Sequence, residues 1–140
     1  MKFYKTNLVV HTRGRGLQEL TQEINAQLRS WAVSEGMAYL FIPHTSASLV
    51  INECFDPSAQ QDLEAFLDRI APEGEPWYAH TLEGRDDSPA HLRAMLTATS
   101  LTIPIDEGRL GLGTWQGIYL AEHRRRGQQR QVLLRVLSVE

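Results

Sequence analysis

The part of the chain that follows residue 100 contains three consecutive runs with the composition of β-strands and no helical periodicity between them. The runs read SLTIPI, RLGLGTWQGIYLAEH and QRQVLLRVLSVE, and turn residues separate them at positions 106–108 and around Gly127. Strands joined by short turns pair antiparallel. This pattern predicts antiparallel sheet and argues against a fold in which every strand is followed by a helix.

The first hundred residues add strands and helices in an irregular order. Apolar and β-branched runs predict strands over residues 2–12, 37–43 and 46–53. Apolar residues three and four apart predict two longer helices, of which the second starts at an Asp56-Pro57 cap. The apolar stripes consist of Leu17, Leu20, Ile24, Leu28 and Trp31 in the first helix and of Ala59, Leu63, Phe66, Leu67 and Ile70 in the second.

A short third helix is predicted after a proline-rich loop, with Ser88 as its cap and Pro89 as its first residue. The predicted order is strand, helix, two strands, two helices and three strands. This order lacks the steady alternation of strands and helices found in doubly wound proteins. We therefore expect an α+β fold of mostly antiparallel sheets with two longer helices and one short helix. The length of 140 residues suits a single compact domain over residues 1–140.

Charge and composition narrow the classes of partner. The formal net charge of -3 argues against a nucleic-acid-binding protein, because duplex binding relies on clustered Lys and Arg. We interpret the basic cluster Arg124, Arg125, Arg126 and Arg130 as a solvated hairpin tip. The single cysteine, Cys54, is interpreted as a packing residue. No apolar run reaches the ~20 residues that span a bilayer and no signal peptide is recognisable, so we expect a soluble cytoplasmic protein with no membrane partner.

The segment PHTSASLVINE, residues 43–53, places a histidine at the end of an apolar run. An extended backbone would turn His44, Ser46, Ser48 and Asn52 to a polar face and the apolar side chains to the core. His44 then suits a general acid, a general base or a metal ligand. The alternative is a histidine bonded to carbonyls or hydroxyls at a strand end, so neighbouring groups must decide its role.

The segment HTLEGRDDSPAH supplies such neighbours. His80 and His91 bracket Glu83, Asp86 and Asp87, and these residue types can ligate Zn, Mn or Fe. With the helix cap predicted above, His91 occupies the third helical position, where the helix N-terminus favours a neutral imidazole or holds a phosphate directly. The spacing of the histidines is not an established metal motif, and a solvated acidic loop is the alternative.

The segment GLGTWQGIYLAEH, residues 111–123, contains three glycines in a strand-like run. Glycine at this density indicates bulges or the close approach of a ligand or another backbone. Trp115 could stack on a flat heterocycle whose edge Gln116 reads, or both could be packing and interface residues. Glu122 and His123 end the run and would either join the same pocket or face water. No Walker loop or dinucleotide-binding fingerprint is present.

Taken together, these segments resemble the YjbQ-like family, also called the secondary thiamine-phosphate synthase family. The resemblance spans nearly the whole chain. It is carried by HTSASLVINE at residues 44–53, by DP and DLE at residues 56–57 and 62–64, by the H…EG…AH loop from His80 to His91, by PI-x-x-G-R-L at residues 104–110, and by GTWQGIYLAEHR at residues 113–124, followed by a basic strand.

The resemblance implies an α+β subunit that assembles as a homotrimer, with a polar pocket at or near the subunit contacts. It also implies thiamine-phosphate synthase activity, in which hydroxymethylpyrimidine diphosphate and a thiazole phosphate are joined and pyrophosphate is released. This activity is secondary in the family. Two positions depart from the family pattern: residues 96–100 read LTATS where a Leu-Gly-Pro-Ser turn is usual, and Asp87 replaces a common Asn. The added charge of Asp87 favours a cation and repels a phosphate.

The resemblance and the chemistry of the residues together define the candidate site. Catalysis is assigned to His44, His80, His91 and Glu53; substrate contacts to Ser46, Arg93, Arg109, Trp115 and Gln116; and a divalent metal ion, Zn or Mg/Mn, to His44, His80, His91, Glu83 and Asp86. Glu122 is a further candidate.

Three hypotheses of function use this site. The leading one is metal-assisted transfer at a phosphorylated substrate, in which arginines such as Arg93 or Arg109 neutralise phosphate charge and Trp115 faces the pyrimidine. A metal-dependent hydrolase of a phosphorylated small molecule would use the same three histidines. A noncatalytic trimer that binds a small anionic metabolite is the third hypothesis.

Overall fold

Two antiparallel sheets and three helices form the protein, in a computed structural model that describes residues 1–139. Along the chain the elements are β1 (Lys2–His11), β2 (Gly16–Glu19), α1 (Thr21–Ser30), β3 (Gly36–Phe41), β4 (Ala47–Glu53), α2 (Pro57–Ile70), α3 (Asp87–Leu96), β5 (Ser100–Asp106), β6 (Arg109–Leu110), β7 (Gln116–Glu122) and β8 (Gln129–Ser138). The larger sheet has the strand order β1-β8-β3-β5-β6 and the smaller has the order β2-β7-β4. The predicted α+β class is confirmed.

Strands β7 and β8 are the most completely covered strands of their sheets. β8 pairs with β1 on one side and β3 on the other, and its alternate residues Val132, Leu134 and Val136 are buried. β7 pairs with β2 and β4 and is buried over nearly its whole length. Side chains from both sheets and from α1 form one continuous apolar core. The strand-like runs in the last third of the chain therefore include the strands that organise this core.

The long run at residues 109–123 forms two separate strands instead of one. β6 is only two residues long and pairs with β5, whereas β7 belongs to the other sheet. A Cβ added at Gly111 would lie 2.7 Å from the Asp106 carboxylate, so the chain passes close to the preceding turn before it crosses between the sheets. The glycines that make this strand-like run unusual mark the crossing.

The first helix begins later than the spacing of apolar residues predicts. Leu17 belongs to β2, where it pairs with Ala121 of β7, and α1 starts at Thr21. Pairing along the edge of β7 overrides the helical spacing of Leu17, as tertiary contacts commonly override local propensity. Ile24 and Leu28 are buried on α1 as predicted.

The second helix has the predicted cap but no fully buried residue. The Asp56 carboxylate accepts a hydrogen bond from the Ser58 N–H at 2.9 Å, and Pro57 is the first helical residue. The apolar face of α2 borders a groove of about 470 Å³ against β4 and the end of α3. Phe66 on this face is 59% exposed, so a single chain leaves the apolar stripe partly uncovered. Within residues 1–139, no helix is both long enough and apolar enough to cross a membrane.

Candidate metal centre

Two histidines and one aspartate converge at the start of α3. The Asp87 oxygen Oδ2 lies 2.8 Å from His80 Nε2 and 3.0 Å from His91 Nε2, and one potential ligand atom from each residue lies within 4.8 Å of the others. Asp87 and His91 are four residues apart on the helix and therefore share a face, while the preceding loop supplies His80. We call these three residues the His-Asp cluster.

The hydrogen bonds of His91 constrain its protons. Its Nδ1 lies 2.8 Å from the carbonyl oxygen of Thr45, which can only accept, so Nδ1 carries a proton. A neutral imidazole has one donor and one acceptor nitrogen, and Nε2 would then turn a lone pair toward the Asp87 carboxylate. Two acceptors at this distance repel. The arrangement is favourable when His91 carries a second proton or when a cation binds both Nε2 and the carboxylate.

Arg124 holds the other side of Asp87. Its Nη1 donates to Asp87 Oδ1 at 2.8 Å and its Nε donates to Asp86 Oδ2 at 3.0 Å. Its Nη2 also donates to the carbonyl oxygen of Glu83 at 3.0 Å, which ties the loop to the helix. This hydrogen bonding to Asp86 is the main reason that the pKa of Arg124 is raised. The guanidinium thereby fixes the orientation of the Asp87 carboxylate toward the two histidines.

Asp86 forms an ion pair with Arg124 and lies outside the His-Asp cluster. Burial alone would raise its pKa, but hydrogen bonds from the Arg124 side chain and the Arg125 N–H, together with the charge of Arg124, lower the pKa of Asp86 to about 2. Asp86 also occupies the N-cap position of α3, one residue before the helix begins. The prediction that Ser88 caps this helix is wrong, because Asp87 and Ser88 are already helical.

His44 lies beside the His-Asp cluster but has a different hydrogen-bonding role. The backbone N–H of Gln131 donates to His44 Nε2 at 3.0 Å, so the ring proton is on Nδ1. Burial, followed by the positive charge of Arg130, lowers the pKa of His44. Neither nitrogen of a neutral ring in this arrangement has a free lone pair for a metal ion. The expected ligand role of His44 therefore does not fit this geometry, whereas a donor role does.

An open cleft of about 650 Å³ joins His44, His80 and His91. Leu92, Ala94 and Met95 of α3 supply most of its apolar surface, and the remaining lining residues are Thr45, Ser88 and Thr99. Among residues 1–139, no arginine or lysine lines this cleft. The three histidines predicted to meet thus border one opening, but the cleft itself has no cationic side chain for a phosphate.

Several predicted site residues lie elsewhere. Glu83 is exposed and is not part of the His-Asp cluster. The Glu53 carboxylate accepts the backbone N–H groups of Phe55 and Asp56 at 3.0 and 2.9 Å, so it shapes the turn before α2. Trp115 packs edge to face against Phe55 with ring centroids 5.0 Å apart, and Gln116 accepts from the Gly113 N–H at 2.9 Å.

The predicted substrate contacts Ser46, Arg93 and Arg109 are also outside the cleft. Ser46 Oγ accepts from Arg130 Nη2 at 2.9 Å and is buried. Arg93 is 2% exposed and donates to Asp68 at 3.0 Å and to the carbonyl oxygen of Ala71 at 2.9 Å. Arg109 is exposed on β6 in the larger sheet. The two arginines assigned to phosphate therefore have other positions in the fold.

A buried polar network accounts for the residues around the end of β7. Glu122 accepts from Arg130 Nε at 2.8 Å and from Thr12 Oγ1 at 2.7 Å. His123 is 1% exposed and its Nε2 lies 2.8 Å from Ser48 Oγ. Burial is the main reason that the pKa of His123 falls to about 4, and the charge of Arg93 adds to the effect. Glu122 and His123 neither face water nor line the histidine cleft.

This network corrects two expectations. Ser48 was expected on a polar face of its strand, but it is fully buried and also hydrogen-bonds Thr97. Arg130 was expected in a solvated hairpin tip, but it is buried against Glu122. Arg125 and Arg126 are exposed as expected.

The metal ligands predicted from the sequence include Asp86 and omit Asp87. The signal that could have identified Asp87 is its four-residue spacing to His91, which places both side chains on one helical face. It was missed because the helix was expected to begin after Asp87. No signal in the sequence pairs Arg124 with Asp87, which are 37 positions apart.

Comparison with known proteins agrees with this fold and sequence pattern. Residues 6–139 match the family described as UPF0047 protein YjbQ-like. The chain is 47% identical to a UPF0047 protein of Synechocystis over 92% of this chain and 88% of the relative, and 40% identical to the UPF0047 protein YjbQ of Escherichia coli O157:H7 over 94% and 95%. A crystal structure of a conserved hypothetical protein from Thermus thermophilus superposes with a TM-score of 0.85, at 38% identity over 94% of this chain and 99% of that one. The chain therefore belongs to the YjbQ-like UPF0047 family.

Proposed function

We propose that the protein is a divalent-metal-dependent enzyme that acts on a phosphorylated small molecule. The observation that carries the proposal is the position of His91. Its Nδ1 donates to the Thr45 carbonyl, while its Nε2 faces the Asp87 carboxylate at 3.0 Å. A cation shared with His80 would turn this unfavourable pair of acceptors into a set of ligands.

The residues of the His-Asp cluster fit a catalytic metal ion. Two imidazoles and one carboxylate are typical of Zn²⁺, Mn²⁺ or Fe²⁺, whereas Mg²⁺ prefers oxygen ligands. Three protein ligands leave coordination positions for water or substrate, as catalytic sites require. A metal ion bound here would supply a Lewis acid for phosphate oxygens or an activated water.

Residues around the cluster have separate tasks in this proposal. Arg124 keeps the Asp87 carboxylate oriented and compensates part of its charge. His44 remains neutral and offers its Nδ1 proton to a substrate oxygen at the edge of the cleft. The apolar side chains Leu92 and Met95 would contact the organic part of the substrate.

The first reaction to assay is the thiamine-phosphate synthase-like transfer, which the family resemblance favours. Purified protein would be incubated with hydroxymethylpyrimidine diphosphate and thiazole phosphate, with and without added Zn²⁺ or Mn²⁺. We expect thiamine phosphate from the metal-loaded wild type and its loss in Asp87→Asn. Glu23→Gln removes an exposed carboxylate on α1, outside the cluster, and is the matched control. No product under any metal condition would exclude this reaction.

Hydrolysis of a phosphorylated small molecule is the second candidate. It is favoured by the location of Trp115, which packs on Phe55 and does not line the histidine cleft. Among residues 1–139, no Phe, Tyr or Trp lines this cleft as a platform for a second organic substrate. Turnover of a phosphate ester by the protein alone would select this candidate. Binding of phosphate compounds with no turnover of either kind would instead select the noncatalytic metabolite-binding alternative.

We also propose that the protein assembles as a homotrimer. The proposal is supported by the family resemblance and by the partly uncovered apolar face of α2, where Phe66 and Ile70 are exposed. Phe66→Glu should reduce the assembled fraction in sedimentation equilibrium, whereas Phe3→Glu, at an exposed phenylalanine of β1, serves as the control. A monomeric wild type at micromolar concentration would contradict the proposal.

A further inference from the structure

We infer that two arginine-bearing turns beside the His-Asp cluster form a binding surface for the oligophosphate group of the substrate. The turns comprise residues 12–15, between β1 and β2, and residues 123–128, between β7 and β8. We call them the arginine turns. This surface lies outside the histidine cleft and would bind the phosphate groups of the substrate. Its role in catalysis rests on the proposed function.

The two turns lie in direct backbone contact. The Thr12 N–H donates to the Gln128 carbonyl oxygen at 2.9 Å, and the Gln128 N–H donates to Thr12 Oγ1 at 2.9 Å. A Cβ at Gly14 would lie 2.4 Å from the Arg125 carbonyl oxygen, and a Cβ at Gly127 would lie 2.4 Å from that of Thr12. Only glycine allows this approach, so the backbones of the two turns lie in contact.

The arginines of the two turns differ in how they are paired with carboxylates. Arg15 and Arg125 share one carboxylate, that of Glu73, at 2.9 and 3.2 Å. Arg13 and Arg126 are exposed and have no ion pair with any residue from 1 to 139. Arg13 lines a separate cleft together with Glu19, Glu64 and Glu122, whereas Arg126 lies on the side of Arg124 and Arg125.

The surface includes a cleft that suits several phosphate oxygens. The cleft has a volume of about 470 Å³, and it is lined by Arg124, Arg125 and Arg126 together with Gln128, Glu83 and Gly84. A guanidinium group can donate two parallel hydrogen bonds to two oxygens of one phosphate group. Several guanidinium groups in one cleft therefore suit a diphosphate better than a single carboxylate. Asp86 also lines the cleft, where it accepts hydrogen bonds from Arg124 and from the Arg125 N–H. Glu83 is the acidic group in the lining that forms no ion pair with any residue from 1 to 139.

Arg124 connects this surface to the His-Asp cluster. Its guanidinium contacts Asp87 Oδ1, while Asp87 Oδ2 contacts both histidines. A diphosphate held by the arginine turns would therefore place its substituent next to the cluster. This arrangement provides the cationic groups that the histidine cleft lacks.

The test uses sodium pyrophosphate and the full-length protein in EDTA at low ionic strength, so that metal binding plays no part. Isothermal titration calorimetry should detect binding to the wild type. The double variant Arg125→Ala/Arg126→Ala, which removes two exposed arginines from the cleft lining, should lose at least about 10-fold in affinity, because each lost charged hydrogen bond corresponds to about that factor. Arg29→Ala/Arg109→Ala removes the same charge from exposed arginines elsewhere and should change the affinity less than about 2-fold.

The variant Glu83→Gln should change the affinity for pyrophosphate in the opposite direction. Removing this carboxylate from the cleft lining should increase the affinity for pyrophosphate. The inference is overturned if the wild type does not bind, if both double variants lose affinity equally, or if Glu83→Gln has no effect. Equal losses would indicate a response to net charge alone.

The outcome can be separated from that of the metal proposal. His80→Ala/His91→Ala should abolish metal binding and keep pyrophosphate binding, because neither histidine lines the arginine cleft. In NMR spectra recorded on adding pyrophosphate, the largest backbone amide chemical-shift changes should occur around Gly14 and Gly127. Chemical-shift changes confined to His80 and His91 would refute the phosphate-binding surface, whether or not the protein binds a metal ion. Binding of pyrophosphate by the metal-free protein would support the surface, even if the protein binds no metal ion.

Discussion

Asp87 and His91 lie one helical turn apart on α3, and the Asp87 oxygen Oδ2 is 3.0 Å from His91 Nε2. The opposite nitrogen of the ring donates to the Thr45 carbonyl, so positive charge on or beside the imidazole makes the contact favourable. Arg124 occupies the other oxygen of the same carboxylate. Asp87 thus connects the histidines to the arginine turns and is the residue whose substitution tests most of the mechanism.

Asp87→Asn should weaken binding of Zn²⁺ or Mn²⁺ by at least about 100-fold, because it removes the anionic ligand of the cluster. Loss of a ligand should weaken metal binding more than loss of a residue that only hydrogen-bonds a ligand. The amide keeps the size of the carboxylate and preserves the helix. Metal affinity would be measured by competition with a chelator dye and metal content by elemental analysis. Glu83→Gln should keep the wild-type affinity within about 3-fold. Similar affinities for wild type and Asp87→Asn would remove Asp87 from the site.

Arg124→Ala should destabilise the protein by ~2 kcal/mol, because it leaves the buried carboxylates Asp86 and Asp87 without their cation. The side chain of Arg124 is about a quarter exposed, and solvent screening keeps the loss below that of a fully buried pair. Urea denaturation would measure the change. Arg109→Ala is the control and should stay within ~0.5 kcal/mol of the wild type.

The stability of the protein should fall with acid in a window set by His123. Burial lowers the pKa of His123 to about 4 in the folded protein, against an ordinary value of 6.5 in the unfolded chain. Between these values the unfolded chain binds the proton and the folded protein does not, so stability present above pH 6.5 is lost as the pH falls toward 4. The loss amounts to ~3 kcal/mol for this group alone.

His123→Gln isolates that contribution. Glutamine cannot titrate, and its amide can replace the contact with Ser48 Oγ. The free energy of unfolding, measured in urea at several pH values, should fall less steeply for the variant between pH 6.5 and 4. Parallel profiles for variant and wild type would contradict the assignment.

Gly14→Ala should destabilise the protein by at least ~2 kcal/mol. Gly14 has φ of 117°, a region that side chains other than glycine rarely adopt, and an added Cβ would meet the Arg125 carbonyl oxygen at 2.4 Å. The same variant should also weaken pyrophosphate binding, because it separates the arginine turns. Gly113→Ala is the matched control, since its added Cβ would contact only the movable Gln116 side chain at 3.4 Å. Equal stability of the two variants would show that the turns tolerate separation.

Much of the fold could be predicted because the strands carry their own signal. The run QRQVLLRVLSVE identified β8, and the Asp56-Pro57 pair identified the start of α2. Errors occurred where pairing partners decided the structure. Leu17 has helical spacing but pairs with β7, and the long run at residues 109–123 divides between two sheets.

The site was predicted less completely than the fold. His80 and His91 were identified as neighbours of carboxylates, and the chain does bring them together. The choice of Asp86 over Asp87 depended on where α3 begins, and a shift of one residue turns a side chain by about 100° around a helix. His44 reached the same cleft, but the Gln131 N–H determines which of its nitrogens is available.

The sequence by itself determined the antiparallel α+β fold, because period-two burial and helix caps are local properties written in consecutive residues. Only the tertiary structure decided that Asp87 faces both histidines, that Arg124 orients it from 37 positions away, and that two glycines bring the arginine turns into contact. These relationships depend on the direction of individual side chains and on contacts between distant segments, and neither leaves a periodic pattern in the chain.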